Sequence, residues 1–553
     1  MIEIRPEHVT LSELLERRLF QIPDYQRAYS WESRQRAELF EDIKRVMERG
    51  DDASHFMSTM VCRRKEEILL GTNRFHKLDV VDGQQRLTTL IILMNWIKIR
   101  LEQARIEEDE LRDLSKLLVK ESGRLLLLQT NHDASRHFSK FLREGVSADP
   151  KDAETLADRE LLKAFGECKA FIEDQESEGT SLIDLYACIK NRLTFILYEI
   201  REEKLVYTVF EVLNSRGIEV SWFDRLKSIM MGNAFELENT DKDQLINELH
   251  DGWSKIYRTI GLKQGLSTEA LRFAATLNQS DMPSRPLSER DSVDEFREKA
   301  HNSNDIRNIA SWIGDVVDAC DRVLSDQRQN AVTRISQARL LAVSIHLRRD
   351  IPDGEKKNLL ERWEKISFRI YGMLGLDARY HVGEYVRLAW KIIQNNISVK
   401  SINSELDDLA KMCPVSEAVK ALKNQNCYEG WQDELRYLMF RYEEYLAEEN
   451  GSNFTNEQWV RIWEASPSKS IEHIMPQSKA DDASKHRLGN LMLLPPGLNS
   501  KLQDKAFAEK RKSYRDTGLF VAQKVARLRQ WSKNSIDKRE KEILRWVKEE
   551  WKD

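Results

Sequence analysis

Three short segments near the C-terminal end of the chain decide how its last part is expected to fold. They are Ser470-Ile-Glu-His-Ile-Met-Pro476, His486-Arg-Leu-Gly-Asn-Leu-Met-Leu-Leu494 and Asn499-Ser-Lys501. In the first segment a glutamate and a histidine end a short apolar run, and in the second a Gly-Asn turn leads into another apolar run. The third segment opens a predicted helix. The order therefore predicts a short hairpin followed by a helix.

The polar residues of these segments suit the hydrolysis of a phosphodiester at a single divalent metal ion. Glu472 and Asn499 offer a carboxylate and an amide oxygen, which a hard ion such as Mg²⁺ prefers. Neutral His473 can take a proton from water, and Asn490 can bind backbone groups and fix the loop that carries it. Neighbours on a strand point to opposite faces, so Glu472 and His473 serve one site only where the strand ends or bends.

A basic stretch follows the hairpin. Lys and Arg are concentrated between residues 501 and 529, and Lys501 and Lys510 are the predicted contacts to DNA phosphates. The chain as a whole carries a formal charge of −5, which excludes a protein that coats DNA by charge alone. A nucleic-acid site is therefore expected as a local basic patch on an acidic body.

Near the N-terminus, the loop Ile22–Glu32 concentrates aromatic, Gln and Arg side chains. Two interpretations stay open at this point: an aromatic loop packed on its own domain, or a recognition loop that stacks on bases and contacts phosphates. The residues concerned are Tyr25, Gln26, Arg27, Tyr29 and Trp31.

A second N-terminal motif joins a predicted strand to a long helix. The strand Lys77–Val81 runs into Asp82-Gly83-Gln84-Gln85-Arg86, and a helix is predicted from Leu87. This geometry presents backbone N–H groups and a helix dipole to an anion, and Asp82 could hold a metal or a ribose hydroxyl. The alternative is a polar turn that caps itself. Further along, Asn214 reads as a helix stop, with Gly217 in the turn.

Composition sets the remaining limits. A chain of 553 residues is expected to form several domains, with α/β structure at the N-terminus and a mainly helical body. Six scattered cysteines without a C-x-x-C pair favour a reducing cytosol. The N-terminus lacks the pattern of a signal peptide, and the longest apolar run, Leu87–Ile97, is too short to span a membrane. We expect a cytoplasmic protein without a membrane partner.

Taken together, these motifs resemble those of the GmrSD-type proteins. The segment 470–515 is similar to their C-terminal HNH (ββα-metal) nuclease domain. The pieces Ile22–Trp31, Asp82–Arg86 and Phe210–Gly217 resemble their N-terminal domain, whose fold is related to ParB and sulfiredoxin. The resemblance implies three domains: residues 1–235, a nucleotide-binding and sensing domain; 236–450, a helical domain; and 451–553, the HNH nuclease domain.

The resemblance also implies an activity and a set of roles. It implies a modification-dependent, type IV restriction-like DNA endonuclease of anti-phage defence that is regulated by nucleoside triphosphate binding and hydrolysis. His473 becomes the general base, Asn490 its orienting residue, and Glu472 and Asn499 the ligands of Mg²⁺ or Mn²⁺. Many HNH sites end in His where this chain has Asn499, which makes the metal assignment less direct. The implied nucleotide site consists of Asp82, Gly83, Gln84, Gln85 and Arg86, with Tyr25, Gln26, Arg27, Tyr29, Trp31 and Asn214 as its neighbours or as a DNA-sensing pocket.

Several points stay open in this interpretation. The triphosphate can be GTP, UTP, CTP or ATP, and the mark on the double-stranded DNA can be glucosylation or, as in the phosphorothioate-sensing SspE branch, a phosphorothioate. A homodimer would let one-strand nicking sites produce double-strand breaks. The main alternative is a nucleotide-dependent DNA-binding sensor or scaffold with a residual nuclease fold, and a third is a nucleotide hydrolase that acts on a partner other than DNA.

Overall fold

The structure is a computed structural model of the 553-residue chain. It describes residues 6–23, 28–49, 54–70, 73–104, 108–120, 125–130, 135–153, 155–201, 222–237, 242–261, 263, 265–423, 425–453, 462 and 467–552.

A mixed six-stranded sheet forms the N-terminal part, in the order β1-β8-β3-β4-β2-β7. β1 pairs antiparallel with β8 and β3 antiparallel with β4, whereas β3–β8, β2–β4 and β2–β7 are parallel. A separate two-stranded pair joins β5 and β6. The strands are β1 Pro6–Thr10, β2 Arg18–Ile22, β3 His55–Leu70, β4 Asn73–Asp82, β5 Val119–Lys120, β6 Leu125–Leu126, β7 Leu128–Thr130 and β8 Leu193–Ile200.

The sequence pattern predicts the strand at 193–200 correctly, but one hairpin is wrong. The apolar runs at residues 56–63 and 68–70, on either side of a charged stretch, predict a hairpin in which the two runs pair with each other. Instead they belong to one long strand, β3, which pairs with β4. The charged side chains of residues 65–67 are exposed, so the strand continues through them without burying charge.

The helix Gln84–Ala104 begins directly after β4 and forms the centre of the N-terminal core. Its residues from Leu87 to Ile97 are almost all buried, among apolar side chains of the sheet and of the surrounding helices. This confirms the prediction that the longest apolar run is a buried helix. The surrounding helices are Leu11–Leu15, Ser33–Glu48, Glu108–Leu118, Ser135–Glu144, Leu156–Ser177 and Leu182–Arg192, with a 3₁₀ turn at Pro150–Asp152.

The rest of the chain is mainly helical, as predicted. Its helices are Trp222–Glu236, Lys242–Ile260, Leu266–Asn278, Glu289–Arg297, Ser303–Ser325, Gln327–Val332, Ser336–Leu347, Asp353–Ser367, Val382–Gln394, Val399–Met412, Val415–Leu422, Gln432–Glu449, Pro467–Ser470, Pro496–Leu502, Phe507–Arg515, Phe520–Ala526 and Lys533–Glu550, with a π-helical turn at Phe368–Met373 and a 3₁₀ turn at Leu488–Asn490. The polar stretch 278–305, which contains Pro283 and Pro286, predicts one exposed loop. They contain the helix Glu289–Arg297, which buries Val293 and Phe296.

The chain forms two compact units. One comprises Met1–Leu271 and Glu289–Val317, and the other Arg272–Ser288 and Asp318–Asp553. Helices of the predicted middle domain therefore occur in both units. In the second unit the helix Gln432–Glu449 packs on the C-terminal strands and helices. Among the described helices, none combines the length and the apolar character needed to cross a membrane.

Candidate functional site

The C-terminal segments form a strand–strand–helix unit. β9, Ile471–His473, pairs antiparallel with β10, Leu491–Leu493, so that His473 lies opposite Leu491 and Glu472 opposite Met492. The helix Pro496–Leu502 follows. Asn499 fixes this helix to β9, because its Nδ2 donates to the backbone oxygens of Lys469 at 2.9 Å and of Ile471 at 3.0 Å. The hairpin and the helix thus form in the predicted order.

Asn490 holds the loop between the two strands. Its Oδ1 accepts from the backbone N of Met475 at 2.8 Å and from Nε1 of Trp531 at 3.1 Å. Its Nδ2 donates to the backbone oxygens of Met475 and Lys485 at 3.1 and 3.0 Å. Asn490 is completely buried. It is placed to fix the ends of the loop between His473 and His486 rather than to contact a substrate.

The glycine before Asn490 is required by close packing. A Cβ atom at Gly489 would clash with the backbone oxygen of Ile536 in the helix Lys533–Glu550. Arg539 of that helix also donates to the backbone oxygens of Leu488, Gly489 and Leu491. The Gly-Asn turn is therefore held by the C-terminal helix.

Glu472 points to the opposite side of β9 from His473, into the protein interior. Its Oε1 lies 2.7 Å from Nζ of Lys510 and accepts from the hydroxyl of Tyr514 at 2.6 Å. The Lys510 ammonium also donates to the backbone oxygen of His473 at 2.8 Å. Burial raises the pKa of Glu472, and the Lys510 charge acts in the opposite direction. The strand does not bend enough at this point to bring the Glu472 carboxylate and the His473 ring to one side.

A divalent metal ion does not fit the predicted pair in this arrangement. Oε1 of Glu472, on the interior side of β9, is already bound to a cation and a hydroxyl group. Asn499 turns its amide nitrogen to the backbone, and its oxygen makes no hydrogen bond with a described residue. Across the part of the chain that the structure describes, no group of three or more His, Cys, Asp or Glu side chains could hold a metal ion. Metal dependence stays a prediction.

His473 ends β9 within a small polar and aromatic cluster. Its Nε2 lies 3.0 Å from Nδ1 of His486, and its Nδ1 lies 3.3 Å from Nε2 of Gln477. Tyr428 contacts both rings: it stacks on His486 at 5.1 Å and meets His473 edge-on at 4.8 Å. Burial, helped by His486 and the nearby lysines, lowers the pKa of His473 to about 3. The ring is therefore neutral at pH 7, as a proton acceptor must be.

Exposed basic side chains surround this unit. Lys501 is exposed, whereas Lys510 has no exposed surface. The ammonium group of Lys510 therefore has no free side for a DNA phosphate in this conformation. The exposed members of the stretch 501–529 are Lys501, Lys505, Lys512, Arg515, Lys524, Arg527 and Arg529, of which Lys524 pairs with Glu542.

In the N-terminal unit, the turn after β4 needs a glycine. Gly83 has a φ of +88°, and a Cβ atom there would lie 2.8 Å from Cγ of Met60. Its backbone N donates to Oδ1 of Asp82 at 2.8 Å. Gln84 is buried in the first turn of the helix, and Arg86 is half-buried. The turn thus has the strand–turn–helix geometry that the sequence predicts.

Gln85 joins the two N-terminal motifs. Its Oε1 accepts from the backbone N of Ser30 at 2.8 Å and of Trp31 at 3.3 Å, and its Nε2 donates to the backbone oxygen of Ala28 at 3.2 Å. Gln85 is therefore occupied in holding the aromatic loop. The guanidinium carbon of Arg86 lies 5.6 Å from the centre of the Trp31 ring.

The two described aromatics of this loop are core residues. Trp31 is 5% exposed and Tyr29 is 8% exposed, with its hydroxyl 2.9 Å from Oγ1 of Thr89. Burial raises the pKa of the Tyr29 hydroxyl. Their positions match the packed-loop interpretation. Tyr25, Gln26, Arg27 and Asn214 lie outside the described residues.

Several residues of these sites were not predicted. His486, Gln477 and Tyr428 surround His473, although only the His486 position lies within the quoted motifs. Gln477 and His486 lie only 4 and 13 residues after His473, but the irregular loop between the strands has no periodicity from which their contacts could be predicted, and Tyr428 comes from a distant segment. Arg36 is likewise fully buried, where it pairs with Glu167 at 2.6 Å and donates to the backbone oxygen of Trp31. Its position on a charged amphipathic helix gave no signal of this role.

Comparison with protein families finds two matches. Residues 11–231 match the GmrSD restriction endonuclease N-terminal domain, and residues 415–546 match the GmrSD restriction endonuclease C-terminal domain. A comparison with curated proteins finds no match. The two domain matches lie in the order expected from the motifs and together cover more than half of the chain. The chain belongs to the GmrSD family of restriction endonucleases.

Proposed function

We propose that this protein is a modification-dependent DNA endonuclease in which nucleotide binding at the N-terminal unit controls cleavage at His473. One observation carries the nuclease part of the proposal. A neutral histidine ends the first strand of a strand–strand–helix unit whose loop is fixed by Asn490 and whose helix is fixed by Asn499. This is the arrangement expected of the HNH fold.

The His473 ring supplies the base. Its Nδ1 faces Gln477, an exposed side chain that can move away, whereas Nε2 faces buried His486. In the proposed reaction a water molecule replaces the Gln477 amide and loses a proton to Nδ1. Its oxygen bonds to phosphorus as the bond from phosphorus to the leaving oxygen breaks, and that oxygen takes a proton from solvent. An anionic phosphate close to the ring also raises the tendency of His473 to hold the proton.

The exposed basic side chains of residues 501–529 would bind the DNA backbone. Lys501, at the end of the helix that carries Asn499, is the nearest of them in sequence to the predicted site. Contacts of this kind supply affinity without base specificity. Binding should therefore weaken steeply as salt concentration rises.

The turn Asp82–Arg86 would bind the phosphates of a nucleoside triphosphate. It begins a long helix, whose first N–H groups and dipole favour an anion. The half-buried Arg86 side chain adds a positive charge beside the same turn. Because Gln85 holds the loop 28–31, a ligand that shifts this turn would also shift the aromatic loop. That linkage supports a regulatory role for the nucleotide.

The deciding experiment compares matched unmodified, glucosylated and phosphorothioate-containing DNA, with Mg²⁺, Mn²⁺ or EDTA and with each of GTP, UTP, CTP and ATP. We expect cleavage of one modified substrate that changes with one triphosphate, and the EDTA arm tests the predicted metal dependence. His473→Ala should lower the cleavage rate by about 10²- to 10⁴-fold while DNA binding is kept. Cleavage by His473→Ala at the wild-type rate would contradict the assignment of the base.

A second function is favoured by the burial of His473, which is 5% exposed with both ring nitrogens occupied. A sensor with a residual nuclease fold would keep this closed arrangement. It predicts nucleotide-dependent binding of modified DNA without cleavage under any metal. Triphosphate turnover that persists in an Asp82→Ala, Arg86→Ala double variant would remove the proposed nucleotide site from either function.

A further inference from the structure

The neighbours of the His473 ring indicate which of its two nitrogens carries the proton. The Gln477 group that faces Nδ1 of His473 is the amide nitrogen, which can only donate. Nδ1 of neutral His473 must then accept, so its proton lies on Nε2. That proton points to Nδ1 of His486, 3.0 Å away. The His486 proton accordingly lies on its own Nε2, which faces Oε1 of Glu429 at 3.7 Å.

His486 is held in place from two sides. The Tyr428 ring stacks on it with an interplanar angle of 10°, and the backbone N of Cys427 donates to its backbone oxygen at 2.8 Å. The Tyr428 loop is itself fixed, because Oδ1 of Asn426 accepts from the backbone N of Tyr428 and of Glu429 at 3.1 and 3.0 Å. The acceptor atom that faces His473 is therefore on a ring held by contacts with Cys427 and Tyr428.

We propose that His486 is a positioning residue for His473. By accepting from Nε2–H it fixes the tautomer in which the lone pair lies on Nδ1, the nitrogen on the side of exposed Gln477. Without this acceptor the proton can occupy either nitrogen, and a fraction of the rings would present an N–H where the base must accept. This role rests on the proposed nuclease function. The wrong tautomer of a catalytic histidine can reduce kcat by a factor on the order of 10⁴.

Two substitutions in the full chain separate the acceptor from the packing. His486→Asn places an amide oxygen near the position of Nδ1 but loses the ring. His486→Phe keeps an aromatic ring against Tyr428 but loses the acceptor. We expect kcat for DNA cleavage to fall at least about 10²-fold in His486→Phe with KM little changed, and to stay within about tenfold of wild type in His486→Asn. His301→Phe, at an exposed position in the other compact unit, is the control and should match wild type.

The opposite order, with His486→Phe more active than His486→Asn, would overturn the proposal, because packing and not the acceptor would then matter. Equal losses in both variants, or a change in KM alone, would overturn it as well.

A measurement independent of activity keeps the proposal testable if no DNA is cleaved. Nitrogen-15 NMR of ring-labelled histidines reports which ring nitrogen carries the proton, and His473→Ala identifies the signals of His473. We expect a bare Nδ1 and a protonated Nε2 in wild type and in His486→Asn, and a mixture of tautomers in His486→Phe. A protonated Nδ1 in wild type would refute the inference even in an active nuclease. Absence of cleavage together with the expected tautomer would refute the proposed function alone.

Discussion

Replacing Lys510 with methionine should destabilise the candidate nuclease site on the buried side of β9. Lys510 is fully buried and makes two contacts, with the Glu472 carboxylate at 2.7 Å and with the backbone oxygen of His473 at 2.8 Å. Methionine fills much of the same volume but has no charge and no donor. Glu472, only 3% exposed, would keep the Tyr514 hydroxyl as its remaining partner among these contacts.

The expected cost follows from this burial. Removing one partner of a buried ion pair leaves an uncompensated charge and destabilises a protein by about 3–5 kcal/mol. Loss of the donor to the His473 oxygen belongs to the same change and is not added separately. Glu472→Gln combined with Lys510→Met removes both charges, so this double variant should be less destabilised than Lys510→Met alone.

Hydrogen–deuterium exchange of peptides from 471–475 and 507–515 measures the effect locally, which is necessary because two compact units need not unfold in one transition. A loss of 3–5 kcal/mol corresponds to exchange that is faster by roughly 10²- to 10⁴-fold. Lys501→Met, at an exposed position, is the matched control and should change stability by less than about 0.5 kcal/mol. If Lys510→Met exchanged like Lys501→Met, Glu472 would not depend on Lys510, and an outward-facing carboxylate free to bind a metal would become the better description.

Three further outcomes are expected. His473→Ala should lower the rate of DNA cleavage by about 10²- to 10⁴-fold without changing the circular dichroism spectrum. Gly83→Ala should destabilise the N-terminal unit by about 1–3 kcal/mol in urea unfolding, because its φ is +88° and Met60 occupies the space of a Cβ; an unchanged midpoint would contradict this. Burial lowers the pKa of His346 from 6.5 to about 4, so the unfolded chain takes up its proton first on acidification. As the pH falls from 6.5 to 4, His346 should therefore lower the free energy of unfolding by up to about 1.4 kcal/mol for each pH unit. Urea unfolding of His346→Gln, measured across this range, should show a smaller dependence of the free energy of unfolding on pH.

The role of a residue could be predicted from the sequence where its partners are its neighbours in the chain. The turn at Gly83 is local: a strand, a glycine and a helix start lie side by side in the chain, and the structure has them in that order. The role of Gln85 is not local, since the groups that it binds lie 54 to 57 residues away. The family resemblance implies a nucleotide contact for Gln85, and in the structure its side chain binds the backbone of another loop.

The C-terminal site shows the same division. Two strands and a helix follow from the apolar runs and the Gly-Asn turn. The alternation of side chains on a strand lets Glu472 and His473 share one site only where the strand ends or bends, and in the structure they point to opposite sides. The alternation of side chains does not identify the group that binds the inward-facing carboxylate of Glu472. Lys510 lies 38 residues downstream on a helix rich in basic residues, where it and Tyr514, one turn later, form the buried face. From sequence alone, a lysine in a basic stretch is predicted to contact DNA, because its buried partner cannot be identified.

Gln85 and Asn490 suggest why these motifs contain side-chain amides. An amide both donates and accepts, so one residue can bind N–H and C=O groups of a loop at the same time. Gln85 does this for residues 28–31 and Asn490 for residues 475 and 485. In each motif the residue proposed for the chemistry is a different one, Arg86 in one case and His473 in the other. Substituting the amide should therefore displace a loop and reduce activity through geometry, and a compact hydrophobic residue cannot restore it because the buried backbone groups would lose their partners.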